Sequence, residues 1–152
     1  MSLIIKSKFV KEEILDENGN KIGELKFNPN DSRIMKKMSI LVKEFSTAIK
    51  EINKLDKIKK PELELKTLED FENASEYFDA FDKATDLEIE VVDKLINELS
   101  EIFGKETIDL FTQGTKDAET LLPVLSFIEP YVKENRQSKV EKYLDNKDDV
   151  ME

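Results

Sequence analysis

Ile34, Met38, Leu41, Phe45, Ala48, Ile52 and Leu55 recur at alternating steps of four and three, a heptad seam sustained for three repeats. Such a pattern commits the stretch to a single α-helix, and any fold of this chain must cover its apolar stripe. Met35, Val42 and Ile49 widen that stripe on one flank, making it broader than a strict two-stranded coiled coil wants. Packing inside a helical domain or small bundle is therefore expected in preference to a free zipper. The helix from Ile34 to Leu55 would be about 33 Å long at 1.5 Å per residue.

Upstream of the seam, Lys8 to Leu15 and Lys21 to Phe27 flank the stretch DENGNK. Asn18 and Gly19 supply the positive backbone angles of a tight turn and Asn20 tolerates them, which predicts a β-hairpin. The same stretch is also the closest imitation of an ion-binding loop in the chain. An EF-hand loop needs glycine at its sixth position and glutamate at its twelfth. Counted from Asp16, Gly19 is fourth and Phe27 is twelfth, so the spacing is wrong and the stretch reads as a turn. Pro29 blocks further strand pairing, and Asn30 or Asp31 can cap the first turn of the heptad helix.

The helical pattern breaks at Pro61 within DKIKKPELELK, where Leu63 and Leu65 continue extended. Thr67 begins another helix, with Leu68, Phe71, Ala74, Phe78 and Phe81 at helical spacing and Tyr77 alongside. Leu87, Val91, Leu95, Leu99 and Ile102 resume the pattern up to Gly104, a natural helix end. Residues 67–103 read equally as one helix or two, with DKATDLE (Asp82 to Glu88) as the weak point. KETIDLFTQG predicts a short helix burying Ile108, Leu110 and Phe111 and stopping by Gly114. A last helix is expected from Lys116 to about Tyr143, bent or broken near Pro123 and Pro130. The whole of 1–152 thus reads as one domain: a hairpin segment over 1–30, a heptad helix over 31–60, a helical remainder over 61–144 and a charged tail over 145–152. The fold class is mainly α with an N-terminal β-hairpin, α+β by strict count.

Composition narrows the function. A single domain of 152 residues buries about 68–70% of its unfolded surface, and a charged share of 38% suits long solvent-facing helices. There is no run of 18 apolar residues to span a membrane, MSLIIKSKFVKEE lacks the form of a secretory signal, and cysteine is absent. A cytoplasmic protein without membrane attachment is expected. Residues 1–60 hold 14 Lys or Arg against 9 Asp or Glu, while residues 61–152 hold 10 against 25. Phosphates repel so acidic a surface, so nucleic acid is not an expected partner. The basic front and acidic remainder can attract each other within one chain or between neighbouring copies, head to tail.

Catalysis has little to work with. Histidine is absent, which removes imidazole acid–base work and ligation, and no phosphate-cradling glycine motif occurs among four glycines. Asp79, Asp82 and Asp86 line one helix face and could gather Mg²⁺ or Ca²⁺, but acid ridges of this kind are ordinarily solvated. No enzyme activity, metal or cofactor is expected. Aromatic residues remain as candidates for contact with a partner: Phe71, Tyr77, Phe78 and Phe81 on successive turns, and Phe127, Tyr131 and Tyr143 along the last helix. They read either as core or as a groove that receives the apolar stripe of a partner helix. Tyr77 and Phe78 are adjacent and so cannot point the same way.

ENGNKIGELKFNPND (Glu17 to Asp31) followed by a heptad helix resembles the opening of small proteins encoded in tail-gene clusters of siphophages and prophages of Gram-positive bacteria. INELSEIFGKETIDLFTQG (Ile96 to Gly114) and FIEPYVKENRQSKVEKY (Phe127 to Tyr143) extend the likeness in the same order along the chain. Together these segments, about two thirds of the chain, resemble the phage tail assembly chaperone family. Gln113 is a departure, because a second glycine is expected there before Gly114. The resemblance implies a non-catalytic protein that binds the long tape-measure protein, keeps its apolar helices in solution, and helps tail-tube subunits polymerise around it. It also implies a homo-oligomer. No family motif assigns individual client-binding residues. A cytoplasmic helical adaptor or regulatory binding module unrelated to tails stays open beside it.

Overall fold

The computed structural model describes residues 2–58, 60–61, 64–134 and 144. Strands β1 (Val10–Leu15) and β2 (Lys21–Phe27) form an antiparallel hairpin. Helices α1 (Ser32–Asp56), α2 (Leu68–Phe103) and α3 (Lys105–Thr112) follow. A 3-10 turn, Ala118–Leu121, then leads into α4, which is helical over residues 122–134. The fold is mainly α with an N-terminal β-hairpin, in agreement with the sequence pattern.

The hairpin turn uses its own acid. Asp16 Oδ1 accepts the amides of Asn18 and Asn20, each at 2.9 Å, and Gly19 takes a φ of 82°. An aspartate committed to backbone amides in this way closes a turn. Between Ile14 and Leu15 the register slips, so that Ile14 faces Gly23, Leu15 faces Lys21, and Ile22 is the extra residue of a bulge. Leu25 and Phe27 are buried in the core, with Val10 and Ile14 packed beside them. Gly23 permits close approach of α3, since a Cβ there would lie 2.8 Å from Leu110 Cδ1. The first strand starts at Val10, two residues later than the pattern suggests, because β2 ends opposite it at Phe27 and the chain turns at Asn28–Pro29 toward α1.

Asp31 is the cap of α1, its carboxylate accepting the Arg33 amide at 3.0 Å. α2 opens with a capping box, Thr67 and Asp70 each accepting the other's amide at 3.1 Å. It then runs unbroken through DKATDLE to Phe103, a rod of about 54 Å at 1.5 Å per residue. Alanines at 74, 80 and 84, all buried, are strong helix formers that need little room. α1 and α2 are antiparallel: Lys37 of α1 pairs with Glu98 and Glu101 of α2, and Glu44, farther along α1, pairs with Lys94, earlier on α2. Lys37 joins the basic front of the chain to the acidic remainder inside one molecule, while the Glu44–Lys94 pair has the opposite polarity.

One expectation about the C-terminal part is corrected. The last helix starts at residue 122 instead of 116, because Asp117 caps a 3-10 turn, accepting the Glu119 amide at 3.0 Å. Pro123 falls in the first turn, where its missing amide would have had no helical partner, and the helix continues through Pro130. The predicted helix beyond residue 134 and the charged tail over 145–152 lie outside the described residues. At the end of α3, Gln113 itself takes the left-handed conformation (φ 48°, ψ 36°), followed by Gly114 at φ 78°. Gln113 thus occupies a left-handed position without being glycine, a side chain held in a disfavoured region.

The core gathers Met35, Met38 and Leu41 of α1, Val92, Leu95 and Leu99 of α2, Ile108 of α3, and Leu121, Val124 and Ile128 around α4. The members from α1 and α2 belong to the first half of α1 and the last half of α2. The remaining halves of the two helices run on as an arm, where the buried α2 residues are the small side chains of Ala74, Ala80 and Ala84.

Candidate functional site

The arm exposes large apolar side chains that the same pattern buries elsewhere. Counting back from Leu99 in sevens along α2 gives Val92, Thr85, Phe78 and Phe71, one line down a heptad face. Leu99 and Val92 are fully buried in the core, yet Phe78 is 44% exposed and Phe71 56%. Phe81, one turn beyond Phe78, is also 56% exposed, and Leu68 projects almost completely. The change along the rod follows from what lies over it: the elements that cover α2 pack on its C-terminal half.

Tyr77 is half-buried, with its ring edge-on to Phe78 at 5.3 Å between centroids. With Ala80 and Phe81 it lines a hollow of about 420 Å³ against Leu55, Lys57 and Ile58 at the end of α1. Successive positions on a helix differ by about 100°, so Tyr77 turns toward the hollow and Phe78 toward solvent while their rings stay in contact. Asp79, Asp82 and Asp86 border the phenylalanine stripe as an exposed acidic rim. Among the described residues, no three potential ligands gather where they could hold a metal ion.

Phe127 and Tyr131 do something different. They surround Phe27 edge-to-face, at 5.7 Å and 5.3 Å between centroids, and Phe103 completes the cluster at 6.2 Å. Both are partly buried against the core, so the structure separates them from the arm and uses them to fasten the hairpin to α4. Tyr143 lies outside the described residues. Of the seven aromatic candidates, Phe71, Tyr77, Phe78 and Phe81 are brought together on one surface.

Two further surfaces escape the sequence reading. A groove of about 520 Å³ runs between α1 and α2, floored by Ile40, Ala48, Leu87 and Val91. On its wall Glu44 Oε1 accepts a hydrogen bond from Lys94 at 2.8 Å, and this bond holds the Lys94 amine above its ordinary range. The other carboxylate oxygen, Glu44 Oε2, is buried and has no hydrogen-bond partner. The second surface is the extended segment before β1, where Leu3, Ile4 and Ile5 are 98%, 83% and 95% exposed. The run LIIKSKF carries the signal for it: β-prone residues ahead of a strand whose partner has already ended.

The arrangement suits contact with apolar helices or strands. No helix among the described residues is long and apolar enough to cross a membrane. Comparison with protein-family models, with curated protein sequences and with solved structures finds no match to this chain.

Proposed function

We propose that this protein is a non-catalytic phage tail assembly chaperone that binds the tape-measure protein and assists tail-tube assembly in the bacterial cytoplasm. The observation that carries the reading is the stripe of Phe71, Phe78 and Phe81 on the arm, apolar, acid-rimmed and exposed. An amphipathic helix that cannot bury its own apolar face would lie along such a stripe, and the formal charge of −10 would hold the complex in solution. The ordered likeness of Glu17 to Asp31, Ile96 to Gly114 and Phe127 to Tyr143 to tail assembly chaperones supports the same reading.

Co-expression with the tape-measure protein encoded beside it tests the proposal. The tagged chaperone is expected to retain that protein and raise its soluble fraction, and a Phe71→Ser, Phe78→Ser, Phe81→Ser variant is expected to fold but lose both effects. Failure of the unaltered protein to retain either the tape-measure protein or a tail subunit would overturn the assignment.

A further inference from the structure

We propose that the arm selects its partner by charge as well as by apolar contact, and that the partner is an amphipathic helix with Lys or Arg along one flank. The inference rests on reading the arm as a client-binding surface and adds the chemistry of the client. Spacing selects a helix. Phe71 and Phe78 lie seven residues apart on α2, a rise of about 10.5 Å. A second helix repeats its apolar face at the same interval. A strand repeats one face at about 6.7 Å and then at about 13.4 Å, and misses it.

Charge selects the flank. From Leu68 to Asp82, α2 carries Glu69, Asp70, Glu72, Glu76, Asp79 and Asp82 and neither Lys nor Arg. Asp70 is committed to the amides of Lys66 and Thr67. Among the described residues, the other five acids enter no ion pair, and neither does Lys83, the next cation along. The last half of α2 differs. Lys37 meets Glu98 and Glu101, Lys116 meets Asp93, and Glu88 Oε2 accepts the Ala118 amide at 3.1 Å. The fold thus meets the acids where it covers α2 and leaves those of the arm unmet. Asp79, Asp82 and Asp86, at steps of three and four, repel one another along one face. Ammonium or guanidinium groups at the same steps on a partner helix relieve that repulsion.

The two borders of the stripe are unlike. Seen from Phe78, Asp79 and Asp82 lie to one side, and Tyr77 and Phe81 to the other, because each residue turns the helix by about 100°. The hollow on the Tyr77 and Phe81 side is lined by Lys57 and Lys60. A partner's basic flank therefore lies over α2, and its other flank over the end of α1. A second copy of this chain fits poorly. Laid antiparallel, its stripe sets Asp79, Asp82 and Asp86 against the same acids. Laid parallel, it offers Lys57 and Lys60 alone to the five unmet acids.

Fluorescence anisotropy of labelled synthetic peptides with the full chain tests this. The probes are a helical peptide with Leu on one heptad face and Lys along one flank, the same peptide with Glu along that flank, and the Lys peptide with its Leu positions changed to Ser. The first is expected to bind, less tightly at high salt, the second about tenfold more weakly, and the third not at all. Asp79→Lys, Asp82→Lys and Asp86→Lys together are expected to reverse the preference, and the milder Asp79→Asn, Asp82→Asn and Asp86→Asn to abolish it. The Phe71→Ser, Phe78→Ser, Phe81→Ser variant is expected to bind none of the three. Equal binding of the Lys and Glu peptides, undiminished binding of the Ser peptide, a preference unchanged by the arm variants, or no binding at all would each overturn the proposal. So would self-association of the full chain that the serine variant abolishes, which would make a second copy the occupant. Failure to retain the tape-measure protein would instead overturn the functional reading, and leaves the peptide preference measurable on its own.

Discussion

The ring of Phe27 meets the ring of Tyr131 edge-to-face, with centroids 5.3 Å apart and planes at 83°. This contact joins the second strand to α4, elements separated by about a hundred residues of chain, and Phe103 and Phe127 close the same cluster from α2 and α4. A two-stranded hairpin alone is only marginally stable in water. Here its inner face is held because Phe27 is the shared centre of an aromatic cluster, with Leu25 buried beside it.

Phe27→Ala is therefore expected to destabilise the fold by about 3–5 kcal/mol, the usual range for emptying a buried phenylalanine site. Phe71→Ala, on the exposed arm, is expected to stay within about 0.5 kcal/mol of the unaltered protein. Urea unfolding followed by circular dichroism measures both, and equal losses would contradict the division between core and arm.

Gln113 sits in the left-handed region at φ 48°, a conformation that costs a residue with a Cβ roughly 1–2 kcal/mol and costs glycine nothing comparable. Gln113→Gly is expected to stabilise the protein by about 1 kcal/mol and raise the melting temperature by roughly 2–4 °C. Scanning calorimetry would show it. A lower melting temperature would mean that the glutamine side chain contributes more than its backbone strain removes.

Thr67 accepts the Asp70 amide at 3.1 Å and Asp70 returns the bond. Thr67→Ala is expected to cost about 1 kcal/mol, with the loss appearing as fraying of α2 at the arm tip in hydrogen exchange. Unchanged protection over residues 68–74 would show that the cap does not hold this end.

Acid should act on the same end of α2 and on the start of α1. Hydrogen bonds from the amides of Lys66 and Thr67 hold the Asp70 carboxyl below its ordinary value of 3.8. At Asp31 the Arg33 side chain is the largest cause of a shift in the same direction, with the Arg33 amide next. A carboxyl whose folded pKa is depressed contributes stability that is present above its unfolded pKa and lost as pH falls through the folded one. The stability difference between the unaltered protein and Asp70→Ala is thus expected to be full at neutral pH and to shrink below about pH 3.8. A difference that persists undiminished at lower pH would exclude an ionised cap as its source.

Lys37 gives the opposite sign. Its hydrogen bond to Glu101, followed by that to Glu98, raises the amine above its ordinary value of 10.5. The stabilisation is fully present below that value and is lost as pH rises through the folded pKa. Lys37→Met is expected to cost at most about 1 kcal/mol at neutral pH, the upper end for a partly exposed pair. The cost is expected to fall at high salt and again above about pH 10.5. Denaturant midpoints across salt and pH check both dependences.

Most of the elements can be read from local sequence, although 67–103 stays open there as one helix or two and the last helix begins at residue 122, not at Lys116. The turn at Asp16–Asn20, the start of α1 beside Asp31, the helical spacing through α2 and the short α3 before Gly114 are all legible, because turn chemistry, caps and periodicity are local properties of the chain. Tertiary structure decided which apolar positions are covered. Phe78 and Leu99 both belong to the apolar helical spacing of α2, yet one is exposed and the other buried. Periodicity reports which face of a helix is apolar; only the packing of α3, β2 and the 3-10 turn against the last part of α2 decides where that face is core and where it is surface. For the same reason Phe127 and Tyr131, which look like the arm aromatics in sequence, belong to the cluster around Phe27. The groove holding the unmatched oxygen of Glu44 likewise needs two helices side by side, and no single stretch of sequence contains it.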